Sequence, residues 1–304
     1  MTPDLASPVE LCGLELAHPI INASGTFDAI AARRAFGDAV LERFPFSAYV
    51  SKTITPAPRA GNPPPRLWEE PAAMVNSIGL PNRGVEGFLE HDLPELAQLP
   101  VPLIVSVMGI SAAEFSVLVA ALDGRDEVAA IELNVSCPNV HSGLIVGEQP
   151  AETEALLSAL RPLTRKPLIV KLTPNVADPA AVAAASERGG ADAISLINTL
   201  KAAPILAGRR WLGGGSGGLS GPAVRTVALE QVGKVSAAVS VPVIGMGGVE
   251  RGSHARDLLD AGSTAVAVGT ASFRDPVAAE RILDELRALG GQPATAAPSA
   301  YVRK

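Results

Sequence analysis

The chain has 304 residues, of which 47% are hydrophobic and 18% charged, a balance that can fill a large core and excludes a disordered chain. Its formal net charge of -6 comes without a basic block, so a small molecule is a better candidate partner than nucleic acid. The two cysteines, Cys12 and Cys137, are too few for a disulfide framework or for the thiolates of an iron–sulfur cluster.

The N-terminal segment lacks the basic stretch and apolar run of a signal peptide. No segment reaches the roughly 20 apolar residues that a membrane helix needs. We therefore expect a cytoplasmic protein without a membrane partner, folded as a single domain over residues 1–304.

Eight short runs rich in apolar residues predict β-strands. Most of them lack polar alternation, which is typical of strands that are buried on both faces of a parallel sheet. In chain order the runs are residues 19–24, 47–53, 103–107, 129–135, 168–172, 193–198, 243–245 and 265–268.

Helical segments lie between the later strands. Asp178-Pro179 and Asp275-Pro276 each place a capping carboxylate before a proline at a helix start. The predicted helices are residues 111–122, 151–160, 179–188, 222–239, 252–260 and 276–289. This alternation predicts a (β/α)8 TIM barrel, with residues 55–98 and 200–220 as long loops at the C-terminal face. The alternative is an open doubly wound sheet, which the lack of an early glycine fingerprint disfavours.

Polar side chains follow the predicted strands, at the barrel end where chemistry occurs. They include amides, two lysines and a cysteine, which suit a flat polar heterocycle with negative charge and predict no metal site. The residues at these strand ends are Asn22, Ser24, Lys52, Thr53, Ser106, Asn134, Cys137, Lys171, Asn198 and Thr199.

Glycines follow the last two strands, as Gly247-Gly248 and Gly269-Thr270. Such glycines let backbone N–H groups approach a phosphate, although they also make ordinary tight turns. Cys137 is a candidate proton acceptor among polar neighbours, and the alternative is an inert buried cysteine. Lys52 and Lys171 would stabilise an anion, or extend to solvent as surface lysines.

Eight ordered motifs together resemble the class 1 dihydroorotate dehydrogenases over about residues 9–280. They are NASGTF (22–27), KTITP (52–56), NSIGLP (76–81), NVSCPNV (134–140), VKLTPN (170–175), INTL (197–200), GGLSGPA (217–223) and GMGG (245–248). This resemblance implies a (β/α)8 barrel that holds FMN and oxidises (S)-dihydroorotate to orotate in de novo pyrimidine biosynthesis. It makes Cys137 the base that removes a ring proton while a hydride passes to flavin N5.

The resemblance also assigns binding residues by position. It implies substrate contacts at Lys52, Asn76, Ser77, Ile78, Gly79, Leu80, Asn134, Asn198 and Thr199. It implies FMN contacts at Ser24, Lys52, Thr53, Asn134, Lys171, Ile197, Gly221, Gly247, Gly248, Gly269 and Thr270.

A cysteine base resembles the class 1 enzymes, whereas class 2 has serine. The motif at residues 139–143 and the Gly-Leu-Ser-Gly run resemble the B group, which implies a homodimer joined to an FAD and iron–sulfur subunit as a heterotetramer, with NAD as final acceptor. Two positions depart from the family. Ser106 stands where an FMN-contacting asparagine is common, and residues 201–204 replace a Gly-Met stretch, which keeps fumarate or a quinone open as acceptor.

Other kinds of α/β barrel share some of these features. A related flavin barrel acts on uracil-like dihydropyrimidines, although its motif continues differently after Ser-Cys-Pro than Asn139-Val140. A flavin-free phosphate-binding barrel lyase or isomerase, or a non-catalytic binding barrel, would share the glycine-rich strand ends. The colour of the purified protein would separate these alternatives.

Overall fold

The computed structural model describes residues 5–135 and 146–290. The strands are β1 (Val9–Leu11), β2 (Leu14–Leu16), β3 (Ile20–Asn22), β4 (Tyr49–Val50), β5 (Leu67–Glu70), β6 (Ala73–Asn76), β7 (Leu103–Val107), β8 (Ala130–Asn134), β9 (Leu168–Lys171), β10 (Ala193–Leu196), β11 (Leu200–Ala202), β12 (Ile205–Leu206), β13 (Arg209–Arg210), β14 (Gly217–Ser220), β15 (Val243–Met246) and β16 (Ala265–Val268). The helices are α1 (Ala29–Phe36), α2 (Ala39–Glu42), α3 (Gly84–Gly87), α4 (Leu93–Leu96), α5 (Ala112–Asp123), α6 (Pro150–Leu160), α7 (Pro179–Arg188), α8 (Arg225–Ser236), α9 (Gly252–Asp260), α10 (Ala271–Arg274) and α11 (Ala278–Gly290).

Eight parallel strands form the central sheet in the order β3-β16-β15-β10-β9-β8-β7-β4. The two end strands meet, because Ser47 N–H donates to the Ile20 carbonyl at 3.0 Å. The buried Asn22 side chain completes this seam by accepting from Val50 N–H at 2.7 Å and donating to the Val50 carbonyl at 2.8 Å. The closed (β/α)8 barrel is therefore confirmed, and the open sheet is wrong.

Two apolar clusters explain why the strands have continuous apolar sequences. One cluster joins alternate strand residues to the surrounding helices and is the outer core. The other consists mainly of barrel-strand residues, such as Ile104, Ile169 and Ile244, together with Leu11 and Leu16 of the β1–β2 hairpin. It fills the barrel interior, and the hairpin closes its N-terminal end. Both faces of each strand are thus buried, as the sequence predicts.

The helix predictions hold within a few residues. Asp178 caps α7 as expected, because its carboxylate accepts from Ala180 N–H at 3.1 Å and Ala181 N–H at 3.2 Å. The predicted helix 222–239 differs, since it begins with a 3₁₀ turn at Pro222–Val224 and ends at Ser236. The short helices α1, α2, α3, α4 and α10 are absent from the sequence prediction.

The two long loops contain a second sheet that the sequence analysis does not foresee. Strands β5 and β6 come from the first loop, strands β11 and β14 come from the second, and they pair in the antiparallel order β11-β14-β6-β5. Trp68 and Trp211 also join the loops, with ring centroids 6.0 Å apart in an edge-on arrangement.

None of the helices in the described ranges is long and apolar enough to cross a bilayer. The single-domain organisation over residues 1–304 stays a prediction.

Candidate active site

One cavity of about 550 Å³ opens at the C-terminal ends of the barrel strands, within the size range of ligand sites. Nearly all the residues that the sequence selects line this cavity. They are Ser24, Lys52, Thr53, Asn76, Ile78, Gly79, Leu80, Asn134, Lys171, Ile197, Asn198, Thr199, Gly221, Gly247, Gly248, Gly269 and Thr270. The fold therefore brings together residues that lie almost 250 positions apart in the chain.

Four selected residues are placed differently, and one of them, Asn22, is buried in the barrel seam. Ser77 is fully buried beside the cavity, where its hydroxyl accepts from Asn62 Nδ2 at 3.0 Å and its N–H donates to the Arg66 carbonyl at 2.7 Å. Ser106 is also fully buried, beneath the cavity floor. Cys137 lies outside the described residues.

An array of amides forms one side of the cavity. Asn198 Nδ2 donates to Asn134 Oδ1 at 3.3 Å, and Asn198 Oδ1 accepts from Thr199 N–H at 2.8 Å. Across the cavity, Asn76 Nδ2 donates to the Gly218 carbonyl at 3.3 Å. These bonds hold the amides in place, and an amide offers both donors and acceptors to a polar ring.

The two lysines approach the cavity from different strands. Lys52 lies close to Gly25, where an added Cβ would come within 2.9 Å of Lys52 Cδ and Nζ. Gly25 also has a φ of +71°, which favours glycine. Lys171 is buried and its Nζ lies 3.7 Å from Glu132 Oε1. The charge of Lys171 is thus offset by a buried carboxylate, and the Lys52 ammonium is the one that suits an anionic ligand.

Glycines at the other end of the cavity form a tight cradle. Gly247 and Gly248 have φ values of +132° and +70°. A Cβ at Gly247 would lie 2.7 Å from Ala228 Cβ, and one at Gly248 would lie 2.7 Å from Arg225 Cβ. Glycine is therefore required at both positions. Backbone exposed in this way beside helix starts is a typical phosphate site, so these residues fit the phosphate of FMN.

Neighbouring side chains support the cradle. Thr270 Oγ1 donates to Ser220 Oγ at 2.8 Å and so joins the end of β16 to the end of β14. Behind the cradle, burial and the nearby Arg225 lower the pKa of His254. His254 Nδ1 accepts from Glu250 N–H at 3.3 Å, as expected of a neutral imidazole.

Several apolar residues of the cavity wall escape the sequence analysis. Leu67, Met74 and Leu219 belong to the second sheet, and Phe273 lies in α10. Only Met74 lies in β6, along which buried and half-buried residues alternate. Within residues 5–135 and 146–290, no group of three or more His, Cys, Asp or Glu side chains could hold a metal.

A closed parallel barrel with a glycine cradle and an amide-lined cavity defines an α/β-barrel enzyme that binds a phosphate-bearing ligand. The family model described as "Dihydroorotate dehydrogenase" matches residues 7–289. The chain therefore belongs to the dihydroorotate dehydrogenase family, in the B type of class 1.

Curated relatives cover nearly the whole chain. A protein of Desulforudis audaxviator is 46% identical over 284 residues, which span 91% of this chain and 90% of the relative. One of Pelobacter propionicus is 46% identical over 286 residues, spanning 93% and 92%. One of Citrifermentans bemidjiense is 44% identical over 287 residues, spanning 93% and 92%. Each is named dihydroorotate dehydrogenase B (NAD(+)), catalytic subunit.

Proposed function

We propose that this chain oxidises dihydroorotate to orotate with FMN in de novo pyrimidine biosynthesis. The observation that carries the proposal is the single cavity in which the glycine cradle, the two lysines and the amide array meet. The cradle suits the FMN phosphate, and the amides and the Lys52 ammonium suit a flat, anionic pyrimidine. Dihydrouracil and related rings lack the carboxylate, so we expect them to react poorly.

The residues divide between cofactor and substrate. Gly221, Gly247, Gly248, Gly269 and Thr270 would hold the phosphate of FMN by backbone and hydroxyl groups. Ser24, Thr53, Lys171 and Ile197 would contact its ring system. FMN, when bound, supplies the hydride acceptor of the reaction.

The substrate would lie against the amide array. Asn76, Asn134, Asn198 and Thr199 would bond the polar edge of the ring, and the loop residues 78–80 would enclose it. The Lys52 ammonium would contact both the substrate and FMN. Binding by several amides fixes which ring face meets the cofactor.

We further propose Cys137 as the base. It follows Asn134 by three residues, so an extended chain places it within about 11 Å of that cavity residue. The thiolate would accept the proton from the ring carbon beside a carbonyl. An unperturbed thiol has a pKa of about 8.5, which suits proton transfer near neutral pH.

The test compares Cys137→Ala with Cys12→Ala. We expect Cys137→Ala to remain yellow and to bind orotate, but to bleach about 10²–10⁴-fold more slowly when mixed anaerobically with dihydroorotate. Cys137→Ser should retain slow bleaching that rises with pH, because a hydroxyl is the weaker acid. Cys12→Ala, at the opposite end of the barrel, should bleach at the wild-type rate. Wild-type bleaching in Cys137→Ala would refute the assignment, and a colourless protein that FMN cannot reconstitute would refute the flavin function.

We propose that a separate subunit reoxidises the flavin. The relatives are named as catalytic subunits of an NAD(+) enzyme, and two cysteines in this chain cannot hold a cluster. An FAD and iron–sulfur subunit, bound to a homodimer as a heterotetramer, would pass electrons to NAD. The isolated chain should then reduce an artificial dye but not NAD, until that subunit is added. Rapid turnover with fumarate by the isolated chain would refute this partner. A cytoplasmic location stays a prediction.

A further inference from the structure

A layer of polar side chains lies inside the barrel, between the cavity floor and the apolar interior. It consists of Ser106, Glu132, Lys171 and Ser195, one from each of the adjacent strands β7, β8, β9 and β10. Ser106 pairs in register with Glu132, and Lys171 pairs with Ser195. All four are buried, with Glu132 only 3% and Lys171 only 6% exposed. Burying a carboxylate and an ammonium costs free energy unless each is paired, so their burial inside the barrel suggests a specific role.

Glu132 is the centre of this layer. Its Oε1 accepts from Ser106 Oγ at 2.9 Å and lies 3.7 Å from Lys171 Nζ, while its Oε2 accepts from Ser195 Oγ at 3.2 Å. Both carboxylate oxygens are thus engaged, and the side chain is held from three strands. Ser106 Oγ also lies 3.0 Å from Thr53 Oγ1, which connects the layer to a residue of the cavity wall.

The two charged partners occupy different levels. Lys171 lines the cavity, whereas Glu132 lies beneath it among the buried residues. Within residues 5–135 and 146–290, Glu132 is the ionic partner of Lys171, and the separation of 3.7 Å is that of an ion pair rather than a hydrogen bond. The Lys171 ammonium therefore lies within ion-pair distance of the buried carboxylate, while the Lys171 side chain lines the cavity above it.

This geometry has an electrostatic consequence for a bound flavin. Lys171 alone would be a full positive charge in a poorly screened site and would strongly favour added electrons. Glu132 balances that charge at close range, so the cavity floor is nearly neutral. Removing either partner changes the floor charge by one unit, in opposite directions.

We propose that Glu132 is a positioning residue that holds the Lys171 ammonium in the cavity floor and balances its charge, and so sets the reduction potential of bound FMN. The inference rests on the proposed flavin function. It predicts that the relative affinity for reduced and oxidised FMN depends on a residue that does not line the cavity.

The experiment measures the two-electron potential of FMN in the wild type and in Glu132→Gln, by equilibration with a reference dye. Glutamine keeps the size of the side chain and can still bond Ser106 and Ser195, but it loses the charge. We expect the preference for reduced over oxidised FMN to rise about tenfold or more, which for a two-electron couple raises the potential by about 30 mV. Lys171→Met should shift the potential in the opposite direction.

Glu250→Gln is the charge control, because Glu250 also lines the cavity but lies at the cradle. It should change the preference less than about twofold, which corresponds to less than about 9 mV. The inference would be overturned if the preference for reduced FMN rose equally in Glu250→Gln and Glu132→Gln. It would also be overturned if the preference in Glu132→Gln stayed within twofold of the wild type. Neither outcome would contradict FMN binding itself. Failure of the wild type to bind FMN would instead defeat the proposed function and this inference together.

A second measurement tests the pairing without the cofactor. We expect Glu132→Gln and Lys171→Met each to destabilise the apo-protein in denaturant, because each leaves an uncompensated buried group. The double variant, which removes both charges, should be more stable than either single variant even if Glu132→Gln folds poorly. Additive losses in the double variant would show that the two side chains are not coupled, and would overturn the inference.

Discussion

Replacing Asn22 with alanine should open the seam of the barrel. The Asn22 side chain is fully buried and takes the place of backbone pairing between β3 and β4, through its bonds to Val50 N–H and the Val50 carbonyl. In Asn22→Ala both backbone groups of Val50 lose their partner at a position that water does not reach.

The size of the effect follows from these two groups. A buried donor or acceptor without a partner costs about 1–3 kcal/mol, so the free energy of unfolding should fall by about 2–6 kcal/mol. For a chain of this length, the midpoint temperature changes by about 2 °C per kcal/mol, which predicts a decrease of about 4–12 °C.

The assay is unfolding of the apo-protein in denaturant, with hydrogen exchange at the Val50 amide as the local measurement. Asn175→Ala is the matched control. Asn175 also donates to a backbone carbonyl, that of Thr199, and accepts from a backbone N–H, that of Lys201, but it is half-buried in a loop. Water can replace its bonds, so we expect a loss below about 1 kcal/mol. Equal losses in the two variants, or unchanged exchange at Val50, would refute the role of Asn22 in closing the barrel.

Two further predictions concern the cradle and the opposite end of the barrel. Gly247→Ala should release FMN on gel filtration, because its Cβ would lie 2.7 Å from Ala228 Cβ, whereas Gly124→Ala, with open space around it, should retain the cofactor. Burial, and secondarily Arg287, lower the pKa of His18 to about 4. As the pH drops, His18 is therefore protonated in the unfolded chain before it is protonated in the folded protein. The free energy of unfolding should fall between about pH 6.5 and pH 4, by about 1–2 kcal/mol because His18 is partly exposed. In denaturant titrations, His18→Gln should lack this pH-dependent fall in the free energy of unfolding. The same pH dependence in His18→Gln and the wild type would contradict the prediction.

The sequence predicts the barrel well because its signals are local. A strand buried on both faces needs a continuous apolar run, and helix α7 carries its own start signal in Asp178-Pro179. The strand ends of a parallel barrel meet at one rim, so the order of strands alone indicates which polar residues converge. That is why the cavity contains Asn134, Lys171 and Asn198 as expected.

The second sheet could not be predicted in the same way. Strands β6 and β14 pair across more than 130 residues of chain, and each is too short to give a clear pattern of its own. Leu67 and Leu219 reach the cavity only because this pairing folds the two long loops towards the mouth.

The sequence by itself determined the strand–helix alternation, the family and most residues of the cavity, because apolar runs, caps and motifs are properties of neighbouring residues. Only the tertiary structure decided that Ser106 supports Glu132 beneath the floor, that Glu132 faces Lys171, and that Asn22 closes the seam. Those contacts join residues between 26 and 39 positions apart, on different strands. Their geometry depends on strand register and barrel closure, which no local pattern specifies.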